Sequence, residues 1–243
     1  MKSFLLSALL ALSLSPLAAS ADTTYFLGSD RGVYFDAGQG LKRVGLGTGS
    51  SLTVRGSTLY LAGDDGQVWS ADQKGRWAPV PGARDVKKIV LDPSGTLFVL
   101  GGDGGVYRLD KGLTRRGLAV ARDLAVAGNG DLYVVGTDGK VWVSRALLGG
   151  TDTWSPYNSL AVGKKLAVAP DGTVYLIGND DGIYKVNGQA ISRLGLATGQ
   201  EISVSSDGQV GIVGMDGGIY LLEGASKWRR LGTGQARQVV WPR

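Results

Sequence analysis

Six aspartates, Asp30, Asp65, Asp103, Asp138, Asp180 and Asp216, each close a Gly-x-Asp triplet that precedes a hydrophobic–aromatic pair. The pairs run from Val33-Tyr34 and Val68-Trp69 in the first copies to Ile219-Tyr220 in the last. Carboxylates gathered around one mouth can hold a cation or bind the hydroxyls of a polyol. Asp also hydrogen-bonds its own turn backbone, and Asp-Gly is the preferred chemistry of tight hairpins, so a structural role is expected for all six.

A second set carries charge at one recurring place, the start of an apolar strand: Lys87, Arg122, Lys164 and Arg237, with Gln200 and Ser50 in the other copies. Cations around a mouth attract an anionic ligand through their summed potential. Salt links to the turn aspartates are the structural alternative, and exposed pairs of that kind are worth only about 0 to 1 kcal/mol. A further series, Arg43, Arg115, Arg193 and Arg230, gives the outer strands a basic stripe that discourages edge pairing. Between Trp142 and Leu166 the chain is longer than in the other copies and holds Leu147, Leu148, Trp154 and Tyr157. An enlarged loop with aromatics is a candidate ligand site, because aromatic faces stack on sugars. The expected ligand-binding residues are therefore Lys87, Arg122, Lys164, Arg237, Trp154 and Tyr157.

Histidine and cysteine are both missing. That removes the usual general base, the commonest metal ligand and every Ser-His or Cys-His triad. Glu201 and Glu223 are the only glutamates, which leaves little for a paired-carboxylate glycosidase. No Gly-Lys-Ser/Thr ends a glycine-rich segment, so a phosphate loop is excluded. The enzyme alternative that survives is a calcium-dependent hydrolase or lactonase, since oxygen ligands alone can hold that ion. Otherwise no cofactor is expected. A net charge of +5, with 26 basic and 21 acidic residues, is too diffuse to point to nucleic acid.

These residues need strands to position them. The aspartates recur every 35 to 42 residues, the spacing of propellers and solenoids. The fourth copy shows the plan: Leu124-Ala-Val126, a turn at Asn129-Gly130, Leu132-Tyr-Val-Val135, a turn at Thr137-Asp-Gly139, then Val141-Trp142-Val143. The second strand is continuously apolar, also at Leu97–Leu100 and Val174–Ile177, and so is covered on both faces. A fourth strand follows from an apolar-x-Arg-x-Gly pattern, as at Leu41 to Gly45 and Leu113 to Gly117. After a leader the chain starts on a second strand, Tyr25-Phe-Leu27, and it ends on an extra first strand, Ala236 to Trp241. The expected fold is all-β, a six-bladed β-propeller over 22–243 closed by the C-terminal first strand pairing with the N-terminal blade.

The leader is residues 1–21: Lys2, an apolar run from Phe4 to Leu14, Pro16 and an Ala19-Ser20-Ala21 cleavage pattern. It predicts a secreted or periplasmic protein with no transmembrane segment after processing.

Trp77-Ala-Pro-Val-Pro-Gly82 with Val86-Lys-Lys-Ile-Val90, then Gly139-Lys-Val-Trp142, and Trp228-Arg-Arg-Leu-Gly232 with Ala236-Arg237 resemble the repeats of the tectonin family. They alternate a Trp-led outer strand, a Gly turn, an inner apolar strand and a Gly-x-Val-Trp strand. The resemblance spans the mature chain and implies a six-bladed, non-catalytic recognition module, often for carbohydrate or cell-surface polymers. The expected partner is thus a carbohydrate or envelope polymer, or an envelope protein for which the module is a scaffold, and the expected state is a monomer.

Overall fold

The structure is a computed structural model that describes residues 23–36, 41–72, 75–145 and 153–241. The expected leader and Leu147 and Leu148 lie outside the described residues.

The described residues form strands and turns only. The first two sequence repeats supply β1 (Thr24–Gly28), β2 (Gly32–Asp36), β3 (Leu41–Arg55), β4 (Thr58–Gly63), β5 (Val68–Ala71) and β6 (Trp77–Val80). The next two supply β7 (Val86–Leu91), β8 (Leu97–Gly101), β9 (Gly105–Leu109), β10 (Leu113–Val126), β11 (Leu132–Gly136), β12 (Lys140–Ser144) and β13 (Ser155–Val162). The last two supply β14 (Lys165–Val168), β15 (Val174–Ile177), β16 (Gly182–Asn187), β17 (Ala190–Val204), β18 (Val210–Gly214), β19 (Gly218–Glu223) and β20 (Lys227–Val240). Every pairing is antiparallel, in hydrogen-bonded runs of thirteen and seven strands.

The long strands β3, β10, β17 and β20 each serve two repeats. The first half of β3 pairs with β2, Tyr34 opposite Arg43, and its second half pairs with β4, Leu52 opposite Leu61. Between the halves the chain bows out, and glycines at positive φ make the bend: Gly45, Gly117, Gly195 and Gly232 all lie between 61° and 70°. That region penalises any Cβ, which explains the recurring glycine of the outer-strand pattern. The last strand, β20, pairs with the first: Tyr25 lies opposite Val240 and Phe26 opposite Val239.

The second strands of the last four repeats, β8, β11, β15 and β18, are buried along their whole length. Their side chains enter apolar clusters that each join two consecutive repeats. Tyr133, Val135 and Val143 of the fourth pack on Leu166, Val174 and Leu176 of the fifth. Phe26 of the first packs on Val213, Ile219 and Val239. The indoles of the outer strands tie neighbouring repeats together: Trp77, Trp154 and Trp228 donate to the carbonyls of Val44, Arg116 and Leu194 at 3.1, 3.1 and 2.9 Å. No helix among the described residues is long and apolar enough to cross a membrane.

Candidate functional site

Each of the six aspartates is bound within its own hairpin. Asp30, Asp103, Asp180 and Asp216 accept the backbone N–H two residues on and the tyrosine hydroxyl four residues on, the latter at 2.6–2.8 Å. The tyrosine hydrogen bond holds these four carboxyls below the usual aspartate range, and the same bond raises the pKa of Tyr34, Tyr107, Tyr184 and Tyr220. Asp65 and Asp138 instead face an indole N–H, of Trp69 and Trp142. Among the described residues, no group of three or more acidic side chains is placed to hold a metal ion.

The outer-strand arginines are not a free basic stripe. Arg43, Arg115, Arg193 and Arg230 lie over the rings of Tyr34, Tyr107, Tyr184 and Tyr220 with the guanidinium carbon 5.8–5.9 Å from the centroid, and three of them also approach the aspartate. In the two repeats that carry Trp in place of Tyr, proline faces it across the strands: Trp69 opposite Pro79, Trp142 opposite Pro156. Aromatic and cross-strand partner thus change together, Tyr with Arg and Trp with Pro.

The expected cationic mouth is arranged differently from the sequence expectation. Arg122 and Lys87 are each the extra residue of a β-bulge, as are Ser50, Gln200 and Arg237. Lys87 donates to the Gly102 carbonyl at 2.7 Å, Arg237 to the Ser29 carbonyl at 3.3 Å, and Lys164 pairs with Asp181. None of the three turns to one of the six turn aspartates, and Arg122 is exposed.

The next residue in each inner strand is the one that faces its neighbours, a column the sequence reading missed. Gln238 bonds the backbone of Leu52, Ser51 that of Ile89, and Asp123 accepts the Leu166 N–H at 2.8 Å. Lys88 lies 2.6 Å from Asp123 and 3.7 Å from Glu201, and Lys165 lies 2.9 Å from Glu201 and 4.0 Å from Asp123. Two cations and two anions therefore close a neutral circuit. Burial works to lower the Lys165 pKa, but Glu201 and Asp123 outweigh it and the value is raised. Lys88 and Glu201 line a cavity of about 80 Å³ together with Gln238, Ala167 and Val240 of other inner strands. At about 10–15 Å³ per water this holds a few waters and is too small for an organic ligand.

Tyr157, expected in the ligand site, is half-buried and meets Tyr133 edge-on at 5.3 Å in the core. Trp154 has a different setting. With Trp142, Leu118, Val120 and Asp138 it lines an apolar groove of about 560 Å³ between the third and fourth repeats. Leu118 stands 89% exposed at its edge. Asp138 accepts the Lys140 N–H at 3.0 Å and the Trp142 N–H at 3.4 Å, both on Oδ1, leaving Oδ2 without a donor among the described residues. Trp142 and Leu118 could have been found from sequence as the aromatic of the fourth motif and the apolar residue after Gly117.

No family model and no curated protein matches this chain. Solved structures do. YCF48, solved bound to a D1 peptide, shares 17% identity at a TM-score of 0.58 over 86% of this chain and 77% of that one. Virginiamycin B lyase from Staphylococcus aureus shares 11% at 0.57 over 85% and 72%. A gluconolactonase from Xanthomonas campestris shares 14% at 0.58 over 74% and 72%. At these identities the likeness bears on fold alone, and it supports a β-propeller.

Proposed function

We propose that this chain is an exported, non-catalytic, tectonin-like binding module, a six-bladed propeller joined head to tail through Phe26 and Val239, that recognises carbohydrate in a cell-envelope polymer. The observation that carries the reading is the groove of Trp142 and Trp154. Two indoles along one apolar cleft offer faces for the C–H bonds of a pyranose, and the Asp138 carboxylate at the same cleft accepts sugar hydroxyls. The missing histidine and cysteine fit binding without turnover. Pairing of β1 with β20 and the apolar cluster they share support the closed ring.

Indole fluorescence of the mature chain, titrated with neutral and acidic polysaccharides, tests the reading. Saturable quenching is expected, weakened at least tenfold by Trp142→Ala with the melting curve unchanged in shape. No response to any saccharide, together with capture of a peptide partner, overturns it.

A further inference from the structure

The groove has a neighbour. On the other side of the chain segment that crosses from the third repeat to the fourth lies a second cleft, of about 390 Å³, lined by Arg108, Arg116 and Arg145 with Ser94, Asn129 and Ser144. The segment divides the two: Arg116 lines the arginine cleft, and Gly117 to Val120 line the indole groove. Trp154 spans the divide, since its ring lines the groove while its N–H bonds the Arg116 carbonyl at 3.1 Å.

Arginine does not recur at the matching places of the comparable junctions. Arg108 follows the motif tyrosine of its repeat, Arg116 is the carbonyl that accepts the next repeat's indole, and Arg145 lies three residues past Trp142. The matching positions where the first repeat meets the second are Phe35, Val44 and Asp72, and where the fifth meets the sixth they are Lys185, Leu194 and Glu223. Only one junction of this type carries three guanidinium groups, and it is the junction with the large indole groove. Among the described lining residues the one carboxylate is Asp92, whose Oδ1 is taken by Ser94 and the Thr96 N–H. Arg145 and Asp131 stand 3.8 Å apart, a loose contact that leaves the Arg145 side chain 55% exposed.

Building on the carbohydrate reading above, we infer that the ligand is an acidic polysaccharide, one sugar ring stacked in the Trp142–Trp154 groove and the carboxylate of a neighbouring uronic acid held by Arg108 and Arg145. Guanidinium forks match carboxylates in geometry as well as charge.

Calorimetry of the mature chain with polygalacturonate and with its methyl-esterified form, at fixed ionic strength, separates the outcomes. The acid form is expected to bind at least tenfold more tightly. An Arg108→Gln, Arg145→Gln double variant should lose that preference while still binding the ester, and an Arg76→Gln, Arg229→Gln double variant, which removes the same two charges outside the cleft lining, should keep it. Equal affinity of the unaltered chain for both polymers overturns this inference and leaves the carbohydrate reading standing. Loss of preference in the Arg76→Gln, Arg229→Gln variant as well shows a general charge effect and also overturns it. Binding of neither polymer, nor of any neutral glycan, overturns both.

Discussion

The Lys88 ammonium lies 2.6 Å from the carboxylate of Asp123, a side chain with no exposed surface. Both Asp123 oxygens are committed, one to Lys88 and one to the Leu166 N–H, so its removal strands a backbone donor and leaves two cations to share Glu201. Breaking a buried pair from one side costs about 3–5 kcal/mol, whereas replacing a whole charged set with apolar groups is often neutral. Asp123→Ala should therefore lower the urea-unfolding free energy by about that amount. A combined Lys88→Met, Asp123→Leu, Lys165→Met, Glu201→Leu variant should recover most of the loss. If the single substitution costs under about 1 kcal/mol, the circuit is not holding the inner strands together.

The hairpin pairs set the pH range of the fold. Four aspartates have pKa values below the ordinary carboxylate range, so their contribution is complete above the unfolded value of about 4 and is lost as pH falls through the lower folded value. Their tyrosine partners are raised, so that contribution is complete below about 10 and is lost as pH rises through the folded values. Melting temperature should be level between these limits and fall outside them. Replacing Tyr34, Tyr107, Tyr184 and Tyr220 with Phe should flatten the alkaline limb. Tyr133, pushed up to about 12 by burial, and Tyr25 and Tyr175, also raised by burial, remain in both proteins and set the residual slope. Parallel alkaline limbs in parent and variant would refute the linkage.

If β20 completes the ring, Val239 carries as much weight as its counterparts inside the chain. Val239 is 1% exposed and packs with Phe26, Val213 and Ile219, much as Leu166 packs between the fourth and fifth repeats. Losing two buried methyl-sized groups with partial relaxation costs about 2 kcal/mol, so Val239→Ala should destabilise by about that much in denaturant unfolding. A cost under about 0.5 kcal/mol would show the terminal strand to be an appendage.

The repeat spacing, the continuously apolar second strands and the tight-turn residues made the all-β class and most strand limits legible, because these depend on local patterns with period two and on backbone sterics. The charged circuit was not legible for a definite reason. Alternation along a strand assigns Lys87 and Lys88, or Arg122 and Asp123, to opposite faces, and a bulge between them breaks the count. The reading stopped one residue early in each repeat. Tyr157 was misplaced because an aromatic in a long connection gives no sign of whether Tyr133 waits beneath it. The arginine cleft was hidden since Arg108, Arg116 and Arg145 lie on three different strands or turns and share no motif.

The first and second repeats offer a built-in control for the groove. Trp69 and Trp77 stand where Trp142 and Trp154 stand, and Asp65 stands where Asp138 does. There, however, both Asp65 oxygens take hydrogen bonds, from the Gln67 backbone and side chain and from Trp69. Gly47 replaces Ala119, and the Trp77 ring closes down on it so far that a Cβ at Gly47 would lie 2.9 Å from the indole. A sugar hydroxyl would have to displace the Gln67 or Trp69 donors already held by that carboxylate. One binding site per chain is therefore expected. Trp142→Phe should weaken saccharide binding several-fold and Trp69→Phe should leave it unchanged, while a stoichiometry of two would show that the open carboxylate of Asp138 does not decide where the ligand sits.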